Sequence, residues 1–431
     1  MNFKIRSLAA AVAAIALVIA TPAWSAGATT VTDPFYTYTG STPLSSIPLG
    51  TVLDTRNVTY HVAGMSTRVT AEQLLYRTNN AQNQAVVNVT SVIQSPVSNG
   101  QAISYQSAYD SLNPYDEPSQ VIAGGRTLGG LLYGGESIAV GALLLAGYNI
   151  IVPDTEGQTA DFPAGMEEGM TTLDSVRAAL NTASTGLKPS TKVALIGYSG
   201  GAIATDWAAQ LAPTYAPDVN RQLVGAAEGG VLVDPAHNLN YIDGSVVWGG
   251  AAAAALVGLA RAYNIDFTPY LSGTGVTLFD QIQNQSLVQI LQSHRGLNWE
   301  SLFKPQYANA IDSIPAFVEY ANKVNAGLVG SPTIPMYISQ GDNGALDGTF
   351  NSQPGDGVMI AGDVRALARQ FCASGTPVQY NEYPLLEHGT TGALWAINMV
   401  PWVYARFAGT PAPSNCSEIR PGNSLAPESV H

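Results

Sequence analysis

Between residues 137 and 231 the chain alternates helix-like runs with short apolar runs of strand length. Helical patterns cover 137–146, 170–180 and 201–211, and strand patterns cover 149–152, 193–198 and 223–228. The alternation resumes at 335–339 and continues through a helix at 364–371, a strand at 378–383 and a final helix at 391–407. Parallel strands need a crossover between them, and the crossover helices must cover the faces of the sheet. The pattern predicts an α/β fold with a mostly parallel central sheet flanked by helices. Upstream, 58–62, 85–92 and 103–105 read as strands, and 71–76 between them reads as a helix.

The alternation breaks between 232 and 331. That stretch is helical in tendency, as at 288–291 and 314–329, and carries no run with the core-strand pattern. Its place after a core strand makes it a helical cap or lid inserted into a core of residues 33–231 and 332–410. The rival reading is a separate domain, but no low-complexity linker marks either end. Residues 411–431 are rich in Pro and Ser and read as a loosely held tail.

One junction in this frame carries chemistry. Gly197-Tyr198-Ser199-Gly200-Gly201 follows the strand at 193–198 and opens the helix at 201–211. In a chain with 43 glycines, G-x-S-x-G alone says little. Strand, tight turn and helix around it make it a nucleophile elbow, the serine-presenting turn of the α/β-hydrolase fold. Ser199 is the candidate nucleophile, and the backbone N–H of Gly200 is a candidate oxyanion donor.

In that fold the nucleophile is followed by an acid and then a histidine. The order removes most candidates. His61 precedes Ser199, His237 and His294 fall in the insertion, and His431 lies in the tail. His388, in a polar loop between a strand and the last helix, remains as general base. The acid should follow the strand at 335–339. Asp356 is preferred because the apolar run after it would hold it rigidly. Asp342 and Asp347, in a Gly- and Asn-rich loop, read more readily as turn residues but stay as alternatives. For a second oxyanion donor no HGGG-type run exists; Asp110 is a candidate, although the residues alone read first as a turn before Asn113-Pro114.

Composition narrows partners and compartment. Lys4 and Arg6 precede an apolar run at 8–19, with small residues beyond it, so residues 1–26 read as a secretory signal. The run is too short to span a bilayer comfortably, and 247–260, the other long apolar stretch, is equally short. No integral membrane segment is expected after signal removal. A formal charge of −13 disfavours nucleic acid and anionic membranes. Charged residues are 11% of the chain, which implies a neutral surface suited to uncharged, oily material. Cys372 and Cys416, in an exported chain, are expected to pair around a loop that contains His388. Neither cysteines nor histidines have metal-ligand spacing, so no metal and no cofactor are expected.

With these residues in place the chain resembles the secretory lipase family of fungi and actinobacteria, the lipase A type of α/β-hydrolase. The resemblance runs over roughly 33–410. It rests on Asp33-Pro34-Phe35-Tyr36, Tyr105-Gln106-Ser107-Ala108-Tyr109-Asp110-Ser111, Pro153-Asp154-Thr155-Glu156-Gly157, Gly197–Gly201 and Glu387-His388-Gly389. It implies hydrolysis of carboxylic esters, including triacylglycerols, under a helical cap. Ser199 and His388 match the family nucleophile and base, Asp110 with Gly200 its oxyanion hole, and Asp356 best matches its acid. The family acid usually stands in a tight Asp-x-Val-x-Pro. Here a longer loop precedes it, and Ile360 stands where proline is expected. A secreted ester hydrolase acting on lipid, with a lipid–water interface as a possible partner, is the expected function. A short-chain esterase, an acyltransferase or an inactive lipid-binding protein are the alternatives.

Overall fold

The computed structural model describes residues 33–308 and 311–430; the secretory signal expected at 1–26 lies outside them. Nine strands form one sheet in the order β1-β2-β3-β5-β4-β6-β7-β8-β9. They are β1 (Val52–Val62), β2 (Met65–Asn79), β3 (Ala85–Ile93), β4 (Ala102–Gln106), β5 (Asn149–Pro153), β6 (Val193–Tyr198), β7 (Leu223–Gly229), β8 (Met336–Gly341) and β9 (Val378–Tyr383). β1, β2 and β3 are antiparallel, as is the β3–β5 pair. From β5 through β4 and β6 to β9 every pairing is parallel.

The helices are α1 (Pro118–Ile122), α2 (Gly130–Leu145), α3 (Gly165–Asn181), α4 (Gly200–Tyr215), α5 (Pro217–Asn220), α6 (Pro235–Ile242), α7 (Gly249–Tyr263), α8 (Gly273–Ile282), α9 (Leu287–Ser293), α10 (Pro315–Lys323), α11 (Ala361–Ala373) and α12 (His388–Phe407). The period of two in a strand decides which side of the sheet they cover. Val193 and Leu195 of β6 join the apolar cluster of α3, α4 and α11, built on Leu173, Trp207 and Phe371. Ala194 and Ile196 point the other way, into the cluster of α2 and α12, built on Tyr133, Val140, Trp395 and Met399.

Helices α6 to α10 all lie between β7 and β8, within the stretch expected to be helical. Their apolar residues do not form a core apart. Ile282, Ile290, Leu302 and Ile314 are fully buried in the same cluster as Trp207 and Leu195. An isolated bridge, Ser111 to Ser286, ties this insertion to the loop after β4.

Two local expectations fail. Residues 71–76 are not a helix but the middle of β2, paired to β1 on one side and β3 on the other. Ala71, Leu74, Leu75 and Tyr76 are at most 1% exposed. Burial between two partner strands overrides the helix preference of Ala-Glu-Gln-Leu-Leu. The buried amide of Gln73 is satisfied there by Ser91 Oγ at 3.1 Å and Ser119 O at 2.7 Å.

The tail is not loosely held either, although it has no regular structure. Cys416 is bonded to Cys372 of α11, and Asn415 pairs with the backbone of β9 at Val378 and Tyr380. Ile419 is buried, and Asn423 bonds to the backbone and side chain of α11 at Gly362 and Asp363. Further on, Glu428 exchanges backbone bonds with Asn322 of α10, its N–H to Oδ1 at 2.7 Å and its carbonyl to Nδ2 at 3.0 Å. Asn side chains bonded to backbone do here what a strand would do elsewhere, so composition alone reads as loop.

Candidate active site

Asp110 follows β4, Ser199 follows β6, Asp356 follows β8 and His388 follows β9. In a parallel sheet these turns all lie at the carboxyl edge, where such folds bind ligands. Ser199 adopts φ 58°, ψ −122°, a strained conformation for a residue with a side chain. Its N–H is held by Gly229 O at 2.9 Å. The turn is possible because strand and helix nearly touch: a Cβ on Gly197 of β6 would lie 2.1 Å from Gly201 O of α4.

From Ser199 a chain of hydrogen bonds runs inward. Ser199 Oγ lies 2.8 Å from His388 Nε2, and His388 Nδ1 lies 2.8 Å from Asp356 Oδ2. The other oxygen of Asp356 accepts from Val358 N at 3.2 Å and Met359 N at 2.8 Å. The His388 N–H donates to Asp356 O at 2.8 Å, so backbone and side chain both lock the pair. His388 and Asp356 are buried. Burial disfavours the imidazolium, but the Asp356 carboxylate and its hydrogen bond outweigh that, with Asp347 and Glu387 adding to them. The His388 pKa is therefore raised.

Asp342 and Asp347 lie elsewhere. The backbone N–H of Asp342 bonds back to Tyr383 O and Leu386 O, and its side chain makes no bond to His388. Asp347 Oδ2 accepts from Trp248 Nε1 at 2.8 Å. The indole of Trp248 in turn stands edge-on to the His388 ring, with centroids 5.1 Å apart. Tyr198 packs on the imidazole's other side at 5.1 Å, and its hydroxyl donates to His388 O at 2.5 Å. Neither aromatic carries a motif. Tyr198 could have been suspected from its place in the elbow; Trp248, from the insertion, left no trace in the sequence.

Gly200 and Asp110 meet beside the serine. A Cβ on Gly200 would fall 1.5 Å from Asp110 Oδ1. Asp110 has φ 28°, a second strained residue at this point. Its carbonyl accepts from Leu287 N at 3.0 Å, which fixes the turn against α9. The Asp110 carboxyl is pushed up to about 8, first by burial and then by the nearby Glu136 charge.

Ser199, Gly200 and Asp110 open into a narrow cavity that is partly open to solvent. Apart from Asn238, its other walls are apolar: Phe162, Ile203 of α4, Leu239, Ile242 and Ala252 from α6 and α7, and Met359 beyond Asp356. Such a slot suits an alkyl or acyl chain whose polar end reaches Ser199.

One group of ligand-type side chains lies outside this site. His237 Nδ1 is 3.1 Å from Asp363 Oδ2 and 3.9 Å from Asp234 Oδ2, and Nε2 is 3.5 Å from Glu428 Oε1. The hydrogen bond that His237 donates to Asp363 leads the effects that push its pKa to about 9. These ion pairs join α6, α11 and the tail. The disulfide Cys372–Cys416 links α11 to the same tail, with a sequence separation of 44 residues.

A family model described as secretory lipase matches residues 124–415, which is more than half of the chain. The chain belongs to the secretory lipase family. Over 393 residues it is 32% identical to a probable inactive lipase of Mycobacterium tuberculosis, covering 88% of this chain and 82% of that one. It is 30% identical to lipase A of Moesziomyces aphidis over 402 residues, covering 88% and 80%. The crystal structure of Candida antarctica lipase A in its closed state superposes with a TM-score of 0.77 at 27% identity, over 91% of this chain and 90% of that one. The secretory lipase family assignment and the mostly parallel nine-stranded sheet agree on an α/β-hydrolase and on carboxylic-ester hydrolysis as the family chemistry. Among the described residues no helix is long and apolar enough to cross a membrane.

Proposed function

We propose that this secretory lipase is a secreted serine ester hydrolase that cleaves triacylglycerols through an acyl-enzyme. The observation that carries the reading is the unbroken 2.8 Å path from Ser199 Oγ through His388 to Asp356 at the mouth of an apolar cavity. His388 Nε2 takes the Ser199 proton as Oγ attacks the ester carbonyl carbon. The carbonyl oxygen becomes an oxyanion, held by the N–H groups of Gly200 and Asp110. The C–O bond to the alcohol then breaks, and His388 returns the proton to the departing alkoxide. Water then attacks the acyl carbon as it gives a proton to His388, and the acyl–Oγ bond breaks as His388 returns that proton to Ser199 Oγ, releasing the acid. Asp356 stays ionised and holds the imidazole with its proton on Nδ1. The raised His388 pKa suits a base that must accept and return a proton in each half-reaction.

We take residues 232–331 as the cap and residues 33–231 and 332–410 as the core, with 411–430, the described part of the tail, strapped across both. In this reading α6 and α7 roof the acyl slot, which is why Leu239, Ile242 and Ala252 face it. Export through residues 1–26 fits the family description and the disulfide.

The Mycobacterium tuberculosis relative carries the word inactive in its name, so a lipid-binding protein without turnover is the reading to defeat. The intact Ser199–His388–Asp356 path argues against it. A p-nitrophenyl ester series of rising acyl length, run with and without an alcohol acceptor, tests the proposal alongside fluorophosphonate labelling. A lipase labels at Ser199 and gains about fourfold in kcat/KM for each methylene the slot buries. No label and no hydrolysis in the wild type would establish the binding protein. An early plateau would make it a short-chain esterase, and ester transfer exceeding hydrolysis an acyltransferase.

A further inference from the structure

Large apolar side chains are exposed on three segments that meet around the catalytic loop. Leu346 is 66% exposed and Phe350 84%, both on the long loop between β8 and Asp356. Leu385 is 76% exposed, three residues before His388, and Val246 is 42% exposed in the α6–α7 linker.

Backbone bonds hold these segments together. Asn343 N donates to Leu386 O at 3.1 Å, and Leu346 N donates to Asn343 O at 3.2 Å. Val246 N donates to Gly348 O at 3.1 Å, and Val247 N donates to Asp347 O at 3.2 Å. The loop is further pinned by Ser245 Oγ to Thr349 Oγ1 at 2.6 Å and by Asn351 Nδ2 to Asn240 O at 3.2 Å. The exposed side chains therefore sit on a braced scaffold that also carries Asp356, Trp248 and His388.

Charge says what this surface can meet. Residues 235–260, 342–364 and 384–405, which carry the rim, the roof and the base, contain no Lys and no Arg. Beside the patch stand Asp243, Asp342, Asp347 and Glu387; Arg365 and Arg420, which face Asp342, are both paired with Glu382, and Arg295 adjoins Gly296, whose N–H bonds to Ser245 O, in a chain of formal charge −13. An anionic bilayer would be repelled by such a face, whereas an uncharged oil surface would accept it.

We propose that Val246, Leu346, Phe350 and Leu385 form the surface by which the enzyme docks on an uncharged glyceride–water interface. Docking there brings the Ser199 cavity to the lipid. The inference rests on the lipase reading for its purpose but not for its test.

Adsorption to an emulsion of neutral triglyceride is measured with the Ser199→Ala protein, so turnover plays no part. Leu346→Ser and Phe350→Ser are added together, with Leu145→Ser as the control. Leu145 is 72% exposed, but it ends α2 next to the start of β5, at the opposite edge of the sheet. The double variant should adsorb about tenfold or more weakly, and the control should bind like its parent. With Ser199 intact, the double variant should lose emulsion hydrolysis by the same factor and keep its rate on a dissolved p-nitrophenyl ester. Undiminished adsorption, or an equal loss in the control, would overturn the docking surface. Tighter adsorption to vesicles of anionic phospholipid than to the neutral emulsion would overturn its lipid class. If the enzyme hydrolyses no ester at all, the functional reading fails while the adsorption result stands by itself.

Discussion

Trp248 stands edge-on against the imidazole of His388 at 5.1 Å and 79°, and Asp347 holds it there through its indole N–H. The insertion between β7 and β8 thus touches His388 directly through Trp248, whose indole is held by one of the three candidate acids. Asp347 also helps raise the His388 pKa. Asp347→Asn removes that charge, so the His388 pKa falls. Turnover needs the neutral imidazole, and the acid limb of kcat/KM against pH should move to lower pH. Trp248→Phe keeps the Asp347 charge and should leave the limb in place while raising KM. A limb that moves equally in both variants would show that packing, not the carboxylate, sets the basicity of His388.

Asp356→Asn should cost about 10³–10⁴-fold in kcat with little loss of fold. The amide can still accept from Val358 N and Met359 N, but it offers a donor to His388 Nδ1 and so favours the wrong tautomer. Asp342→Asn should stay within a few-fold of wild type. Comparable losses in both would remove Asp356 from its role.

Gly200→Ala should drive a methyl group into the Asp110 carboxyl, 1.5 Å away. Displacing one oxyanion donor typically costs about 10²–10³-fold in kcat. Circular dichroism with single-turnover kinetics checks that the loss lies in chemistry rather than folding. An active Gly200→Ala enzyme would mean that the oxyanion lies elsewhere.

Buried acids should make the protein most stable in mild acid. Burial, the largest cause each time, pushes Glu136, Asp154 and Asp206 up to about 7 and Glu167 up to about 8. Glu228, with neither carboxylate oxygen partnered, is raised well above its ordinary value. The folded state then holds protons that the unfolded chain releases near pH 4, so stability falls as pH rises from there towards 8. His237, raised to about 9, loses its stabilising charge on further alkalisation, which acts in the same direction. The melting temperature should peak on the acid side of neutrality, and Asp206→Asn with Glu228→Gln should flatten the alkaline decline. A peak above pH 8 would contradict this.

Replacing Cys372 and Cys416 by serine should remove about 4 kcal/mol of stability on the loop-entropy model. The melting temperature reports it, and the residual activity at low temperature should remain, because neither sulfur touches the site.

Much of this was legible in advance where local pattern and tertiary need agree. The elbow combines both: an apolar run, a turn that only small residues permit, and a helix, so Ser199 stood out. His388 followed from chain order. β2 was misread because its middle is written in helix-forming residues, and only the neighbours on both sides make it a strand. The choice among Asp342, Asp347 and Asp356 depended on where a 14-residue loop folds back, which no periodicity encodes. Trp248 and the ordered tail share that reason: their partners are more than 90 residues away in sequence, as with Asp347 for Trp248 and Asn322 for Glu428.

The strap formed by residues 409–430 has a consequence for biosynthesis. Asn322 of α10 and His237 of α6 take partners from residues translated after every strand of the sheet. While these residues are still emerging, the roof over Ser199 has no latch on that side. The contacts that fix α6 and α10 to Glu428 can therefore form only after the whole sheet has been synthesised.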